Sequence, residues 1–147
     1  MAKPRSVTVE NPGGLKAALN ALDEVASESV LRQAAVAGAR VIHAEVKLRA
    51  PVAKGVYEGK QGKRPFGFLR EHIIVAYDDE QSVPGRLASY LVTWSKEAFY
   101  GRYLEYGTSK MAAQPFLRPG FEAKRKAAAA AVGEVIQKKA KELTGGR

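Results

Sequence analysis

The sequence predicts an α+β fold, in which a small antiparallel β-sheet is packed with two N-terminal helices and one long C-terminal helix. Three observations predict this class. Two early stretches repeat apolar residues at helical spacing, two central stretches alternate apolar and polar residues as strands do, and a long alanine-rich stretch near the end returns to the helical spacing. The chain has 147 residues, the length of one domain, so we predict a single domain over residues 1–147.

Apolar stripes and turn signals predict the two N-terminal helices. A short β-prone run at residues 7–9 ends in Asn-Pro-Gly-Gly, and a helix then extends over residues 15–26 with leucines at i, i+4 and i+7. The second helix extends over residues 30–49 and ends where Ala50 precedes a proline, because that position disfavours the α conformation. Its apolar residues cover a wide arc, which predicts burial, and we expect His43 to face outward among cations.

A loop and a hairpin are predicted in the centre of the chain. Residues 52–68 contain four glycines and several cations without periodicity, which predicts a long, basic, glycine-rich loop. Residues 69–77 and 88–95 alternate as strands. The segment between them contains Pro84-Gly85, so we expect the two strands to pair as an antiparallel hairpin.

The last third of the chain combines an aromatic segment with a long helix. Four of the eleven Phe and Tyr residues fall within residues 99–108, and a glycine turn closes this segment. A final helix is predicted after Pro119 and extends to about Leu143, where several lysines meet the carbonyl end of the helix dipole. We predict a flexible tail over residues 144–147.

Composition and motifs exclude several classes of function. The chain has no cysteine, so neither a disulfide nor a thiol nucleophile is available. It has no P-loop and no Gly-x-Ser-x-Gly elbow, and His43 and His72 lack partners at ligand spacing. We therefore predict no enzymatic activity, no metal and no cofactor. No apolar run is long enough for a membrane span, and no secretory signal is visible, so we expect the protein to stay in the compartment where it is made, without membrane contact.

The positive charge is unevenly distributed along the chain. The net charge is +9, and residues 111–147 hold eight basic and three acidic side chains. A second excess lies in and just after the predicted loop, at Lys54, Lys60, Lys63, Arg64 and Arg70. Such segments attract polyanions, so a nucleic-acid-binding module and a basic assembly surface both remain open.

Two adjoining strings are more specific than composition. Residues 100–108 read Tyr-Gly-Arg-Tyr-Leu-Glu-Tyr-Gly-Thr, and residues 111–119 read Met-Ala-Ala-Gln-Pro-Phe-Leu-Arg-Pro. Together they resemble the signature of a family of small tailed-phage proteins, the minor tail or neck components that close the head–tail junction, similar in role to the lambda tail completion protein. Two features depart from the family pattern: Gly120 stands where an alanine is more usual, and the loop at residues 56–67 is longer.

The resemblance implies a structural virion protein of a tailed bacteriophage. It implies a tail completion or neck subunit that forms a homo-oligomeric ring of six copies, contacts other neck and tail proteins, and surrounds a channel through which genomic DNA passes. A tail terminator and a head-side stopper ring are alternatives, because they differ only in which ring each face touches.

The same resemblance and the basic loop supply candidate assembly residues. Each is either a subunit contact or a residue that only folds the domain. The candidates are Tyr103, Glu105, Gly107, Phe116 and Arg118 in the two strings, and Lys60, Lys63 and Arg64 in the loop.

Overall fold

The described residues form five helices and two short antiparallel hairpins. The computed structural model describes residues 12–53, 57–59 and 62–145. The predicted β-prone run at residues 7–9 lies outside these residues. The elements in chain order are α1 (Pro12–Val25), α2 (Glu28–Arg49), β1 (Tyr57–Gly59), β2 (Gly62–Arg64), α3 (Phe68–Glu71), β3 (Ile73–Tyr77), β4 (Tyr90–Trp94), a 3₁₀ turn (Lys96–Ala98), α4 (Gly101–Tyr106) and α5 (Leu117–Thr144). The predicted α+β class, with two N-terminal helices and one long C-terminal helix, is confirmed.

The long helices α2 and α5 pack against each other as an antiparallel pair. Gly38 of α2 lies against Ala128 and Val132 of α5, whereas Val46 lies against Gly120 at the other end of the contact. A Cβ atom at Gly120 would lie 2.7 Å from Val46 Cγ2. The glycine that departs from the family pattern therefore lets the two helix backbones approach closely.

The predicted antiparallel hairpin forms. Strands β3 and β4 pair antiparallel, with Ile73 opposite Trp94, Val75 opposite Val92 and Tyr77 opposite Tyr90. The buried core lies where this hairpin meets α2 and the start of α5. It consists of Val46, Ala50, Leu69, Ile73, Ala98 and Phe116.

Two local predictions between residues 52 and 72 were wrong. The segment predicted as one loop contains the hairpin β1–β2, in which Tyr57 pairs with Arg64. Residues 69–72 were predicted as the start of a strand, but α3 occupies Phe68–Glu71 and the His72 N–H donates to the carbonyl oxygens of α3. Leu69 and Ile73 are both buried. Their spacing of four residues fits a strand face as well as a helix face, which is why alternation misassigned the segment.

The structure also corrects the surface assigned to α2 and the bounds of α5. His43 does not face outward among cations, because its Nε2–H donates to the Ile73 carbonyl oxygen at 2.7 Å. Leu48, expected in the buried arc of α2, is 73% exposed. Helix α5 begins at Leu117, before Pro119, and Thr144 still belongs to it. Thr144, predicted as the first residue of a flexible tail, is therefore helical, and residues 146–147 lie outside the described part of the chain.

Candidate assembly surfaces

Glu105 joins α4 to the start of α5. Its side chain is only 8% exposed, and both carboxylate oxygens accept backbone hydrogen bonds. Phe116 N–H donates to Oε2 at 2.7 Å, Leu117 N–H donates to Oε2 at 3.0 Å, and Arg118 N–H donates to Oε1 at 3.0 Å. A carboxylate in this position also interacts favourably with the positive end of the α5 dipole.

This arrangement satisfies every backbone donor at the start of α5. The first four N–H groups of a helix have no partner within the helix. Three of them here, on residues 116–118, donate to Glu105, and the fourth position is Pro119, which has no N–H. The capping position itself holds Phe116, whose side chain cannot accept a hydrogen bond. Glu105 therefore replaces the missing cap from a different helix.

Gly107 lets the chain turn away from α4 without displacing the segment that leads to α5. Its backbone has φ 74° and ψ 176°, a region that is essentially restricted to glycine. A Cβ atom there would lie 2.8 Å from Ala113 N. The two strings of the family signature thus contact each other and together form the junction between α4 and α5.

The five predicted assembly residues of the two strings divide into an internal and an external group. Glu105 and Phe116 are buried in the monomer, and Gly107 is held against the backbone of Ala113, so all three have roles inside the fold. Tyr103 and Arg118 lie on the surface. Tyr103 accepts a hydrogen bond from Arg102 Nη2 at 2.7 Å, and Arg118 pairs with Glu122 at 3.3 Å.

The basic loop contributes an arginine stacked on aromatic rings. Lys60 lies outside the described residues, whereas Lys63 and Arg64 belong to β2. The Arg64 guanidinium lies 4.8 Å from the ring centre of Tyr100, 5.4 Å from that of Phe99 and 5.9 Å from that of Phe68. Burial raises the pKa of the Tyr100 hydroxyl, and the Arg64 charge opposes that rise. These side chains border a cavity of about 520 Å³.

A second concave surface, here called the groove, lies between α2, β4 and α5. It measures about 660 Å³ and is lined mainly by small and apolar side chains. Leu91, Tyr106 and Phe121 lie along it with 48%, 79% and 51% of their surface exposed. Arg118 and Arg125 also line the groove, which therefore has an apolar floor and basic side chains along α5.

A third surface is the leucine stripe of α1, defined as Leu15, Leu19 and Leu22. These side chains are 49%, 53% and 64% exposed, although the helical spacing favoured burial. Residue patterns did not predict the stripe or the groove as assembly surfaces. The one signal that pointed to them was the light, alanine-rich core, which offers few large side chains to cover both the stripe and Phe121.

The described residues contain neither a cluster of metal-ligating side chains nor a helix suited to cross a membrane. No group of three or more His, Asp or Glu side chains in this part of the chain is placed to hold a metal ion. Within the same residues, no helix is both long enough and apolar enough to cross a bilayer.

Comparison with known proteins places the chain among bacteriophage tail components. A family model described as "Bacteriophage HK97-gp10, putative tail-component" matches residues 14–107, which is more than half of the chain. The chain therefore belongs to the HK97-gp10-like family, and the predicted likeness to a phage tail or neck family is confirmed. The match includes Glu105 and Gly107 and ends before α5. No curated protein and no solved structure matches the chain.

Proposed function

We propose that this tail component is a ring-forming subunit of the phage neck or of the top of the tail, acting as a tail completion protein. It contacts further copies of itself and other neck and tail proteins. The observation that carries the proposal is the amount of apolar surface that the monomer leaves exposed.

The exposed apolar side chains are grouped. The leucine stripe of α1 forms one line, and Leu91, Tyr106 and Phe121 border the groove. Single exposed apolar residues are ordinary on soluble proteins, but contiguous patches usually mark contact surfaces. In a phage tail component, such surfaces favour repeated contacts between subunits.

The proposal is of assembly without catalysis. Glu105 is the carboxylate within the aromatic and glycine-rich string at residues 100–108. Both of its oxygens accept backbone N–H groups that hold α5 in place. The Glu105 carboxylate therefore stabilises the fold, which supports a structural role for the signature residues.

The basic side chains support contact with an acidic ring or with DNA in the channel. Lys138 and Lys141 are exposed near the end of α5, and Lys139 pairs with Glu142 at 3.3 Å. The salt dependence of DNA affinity distinguishes DNA binding as the main function from assembly into a ring. A monomeric protein whose DNA affinity falls steeply with rising salt would favour the nucleic-acid-binding alternative over the ring.

Particles assembled without this protein provide the decisive experiment. Electron microscopy of lysates from phage lacking the gene should show filled heads and complete tails that remain unjoined, and a plasmid copy should restore joining. Tails of uncontrolled length would instead indicate a terminator, and heads that lose their DNA would indicate a stopper. Normal infectious particles would overturn the proposal.

A further inference from the structure

The described part of the chain leaves the leucine stripe of α1 about half exposed or more. Leu15, Leu19 and Leu22 lie on one face because their spacings of four and three residues are close to whole helical turns. Helix α1 packs on α5, but its half-buried side chains, Ala21 and Val25, lie outside the stripe. The domain thus holds α1 by one side and leaves the leucine side exposed.

The groove has the shape and chemistry that suit an amphipathic helix. Ala35, Ala88 and Ala129 line it without being fully buried, and their small side chains leave room for another helix to approach. Phe121 and Tyr106 stand at its edges with half or more of their surface exposed. No residue of α1 lines the groove, so the chain does not fill it with its own leucine stripe.

The charges of the two surfaces are complementary. Helix α1 holds two acidic side chains and one basic side chain, and Asp23 and Glu24 lie together at the C-terminal end of the stripe. Arg118 and Arg125 line the groove. Arg118 already pairs with Glu122, but no carboxylate among the described residues forms an ion pair with Arg125. Arg125 is therefore positioned to meet an acidic side chain from outside the chain.

From these three observations we infer that α1 of one copy lies in the groove of the next, with its leucine stripe against the floor and its acidic end near Arg125. This inference rests on the proposed ring and specifies the contact that builds it. Amphipathic helices bind grooves through apolar anchors at i, i+4 and i+7. Because each copy offers α1 from one surface and receives a helix at another, the contact is head-to-tail, which closes a ring when the rotation between copies permits.

A mixing experiment tests the contact. Leu19→Glu places a charge in the stripe and leaves the groove intact, whereas Phe121→Glu places a charge at the groove and leaves the stripe intact. Each variant alone should be monomeric at concentrations where the unaltered chain forms rings, with the midpoint concentration for assembly raised at least tenfold. An equimolar mixture should form one-to-one dimers and nothing larger, because one intact stripe and one intact groove remain. Native mass spectrometry measures all three states.

Matched controls separate the contact from a general effect of charge. Asn20→Glu lies on α1 outside the stripe, and Ala123→Glu lies on α5 at an exposed position that does not line the groove. Both should assemble as the unaltered chain does. If Leu19→Glu also formed rings of normal size, this contact would be overturned while the ring itself stood. An unaltered chain that stayed monomeric in solution and in the particle would overturn both the inferred contact and the proposed ring.

The absence of cysteine from the sequence permits a second test that does not depend on loss of assembly. A chain with Leu22→Cys, mixed with a chain with Ala129→Cys, should form a disulfide-linked dimer on mild oxidation, because the acidic end of α1 then lies one helical turn from Ala129. Asn20→Cys mixed with Ala129→Cys is the control and should give at least tenfold less of that dimer. Equal yields from the two mixtures would overturn the inferred contact.

Discussion

The junction between α4 and α5 differs from helix α1 in how many of its polar groups are hydrogen-bonded and how much of its apolar surface is buried within the chain. At the junction, the buried carboxylate of Glu105 and the three backbone donors of residues 116–118 satisfy one another, and Phe116 is completely buried. Along α1, three leucines remain about half exposed or more. The signature residues at the junction therefore stabilise the fold. Helix α1, which contains no recognisable motif, leaves its leucine stripe exposed to solvent.

This difference separates residues that hold the fold together from residues whose apolar surface the inferred contact between copies would cover. Gly107 and Glu105 make contacts that depend on backbone geometry, and such contacts tolerate little substitution. An apolar stripe needs only side chains of suitable size and spacing, so many sequences can supply it. We expect substitutions at the junction to reduce stability and substitutions on α1 to reduce assembly.

The largest loss of stability is expected for Glu105→Ala. The substitution leaves three N–H groups at the start of α5 without their acceptor, and each buried unsatisfied donor costs about 1–3 kcal/mol, so we expect a loss of about 4 kcal/mol. Glu105→Gln retains one oxygen and should lose about half as much. Urea unfolding measures both. Glu122→Ala, at an exposed position on α5, is the control and should change stability by less than about 0.5 kcal/mol. A loss of that small size for Glu105→Ala would contradict the capping role.

Gly107→Ala is expected to have the next largest effect, a loss of about 3 kcal/mol. The added Cβ would be forced into a backbone region that only glycine occupies readily, and it would lie 2.8 Å from Ala113 N. Gly85→Ala is the matched control, because Gly85 also has positive φ, at 69°, but nothing lies within 4 Å of the added atom. Its loss should be about 1 kcal/mol. Equal losses at the two glycines would show that the contact with Ala113 contributes nothing.

Two glycines within α5 should respond to alanine in opposite directions. Gly120→Ala gains about 1 kcal/mol of helix propensity, but its Cβ would lie 2.7 Å from Val46 Cγ2, so we expect a net loss of about 1–2 kcal/mol. Gly133→Ala meets nothing within 4 Å and should raise stability by up to about 1 kcal/mol. Thermal unfolding of the two variants side by side measures the contrast. A gain at both positions would mean that α2 and α5 do not depend on close approach at Gly120.

Residue patterns predicted the regular elements of this fold but not the contacts between them. The pairing of β3 with β4 followed from alternation and from the turn at Pro84-Gly85. The bond from His43 to the Ile73 carbonyl could not be predicted, because the surface pattern of a helix contains no information about a strand that passes beneath it. The capping role of Glu105 left one indirect signal in the sequence: a phenylalanine where α5 needs a capping side chain, followed by a proline in the first turn.

The smallest effect on monomer stability is expected for Leu22→Ser, the counterpart on α1 of the junction variants. Leu22 is 64% exposed, so its replacement should change the free energy of unfolding of the monomer by no more than about 0.5 kcal/mol. Assembly should respond far more strongly, because in the inferred contact this side chain is removed from water by a neighbouring copy. Urea unfolding below the assembly concentration and native mass spectrometry above it separate the two effects. A loss of monomer stability comparable to that of Glu105→Ala would show that the stripe belongs to the core of its own chain, and the distinction between the two regions would fail.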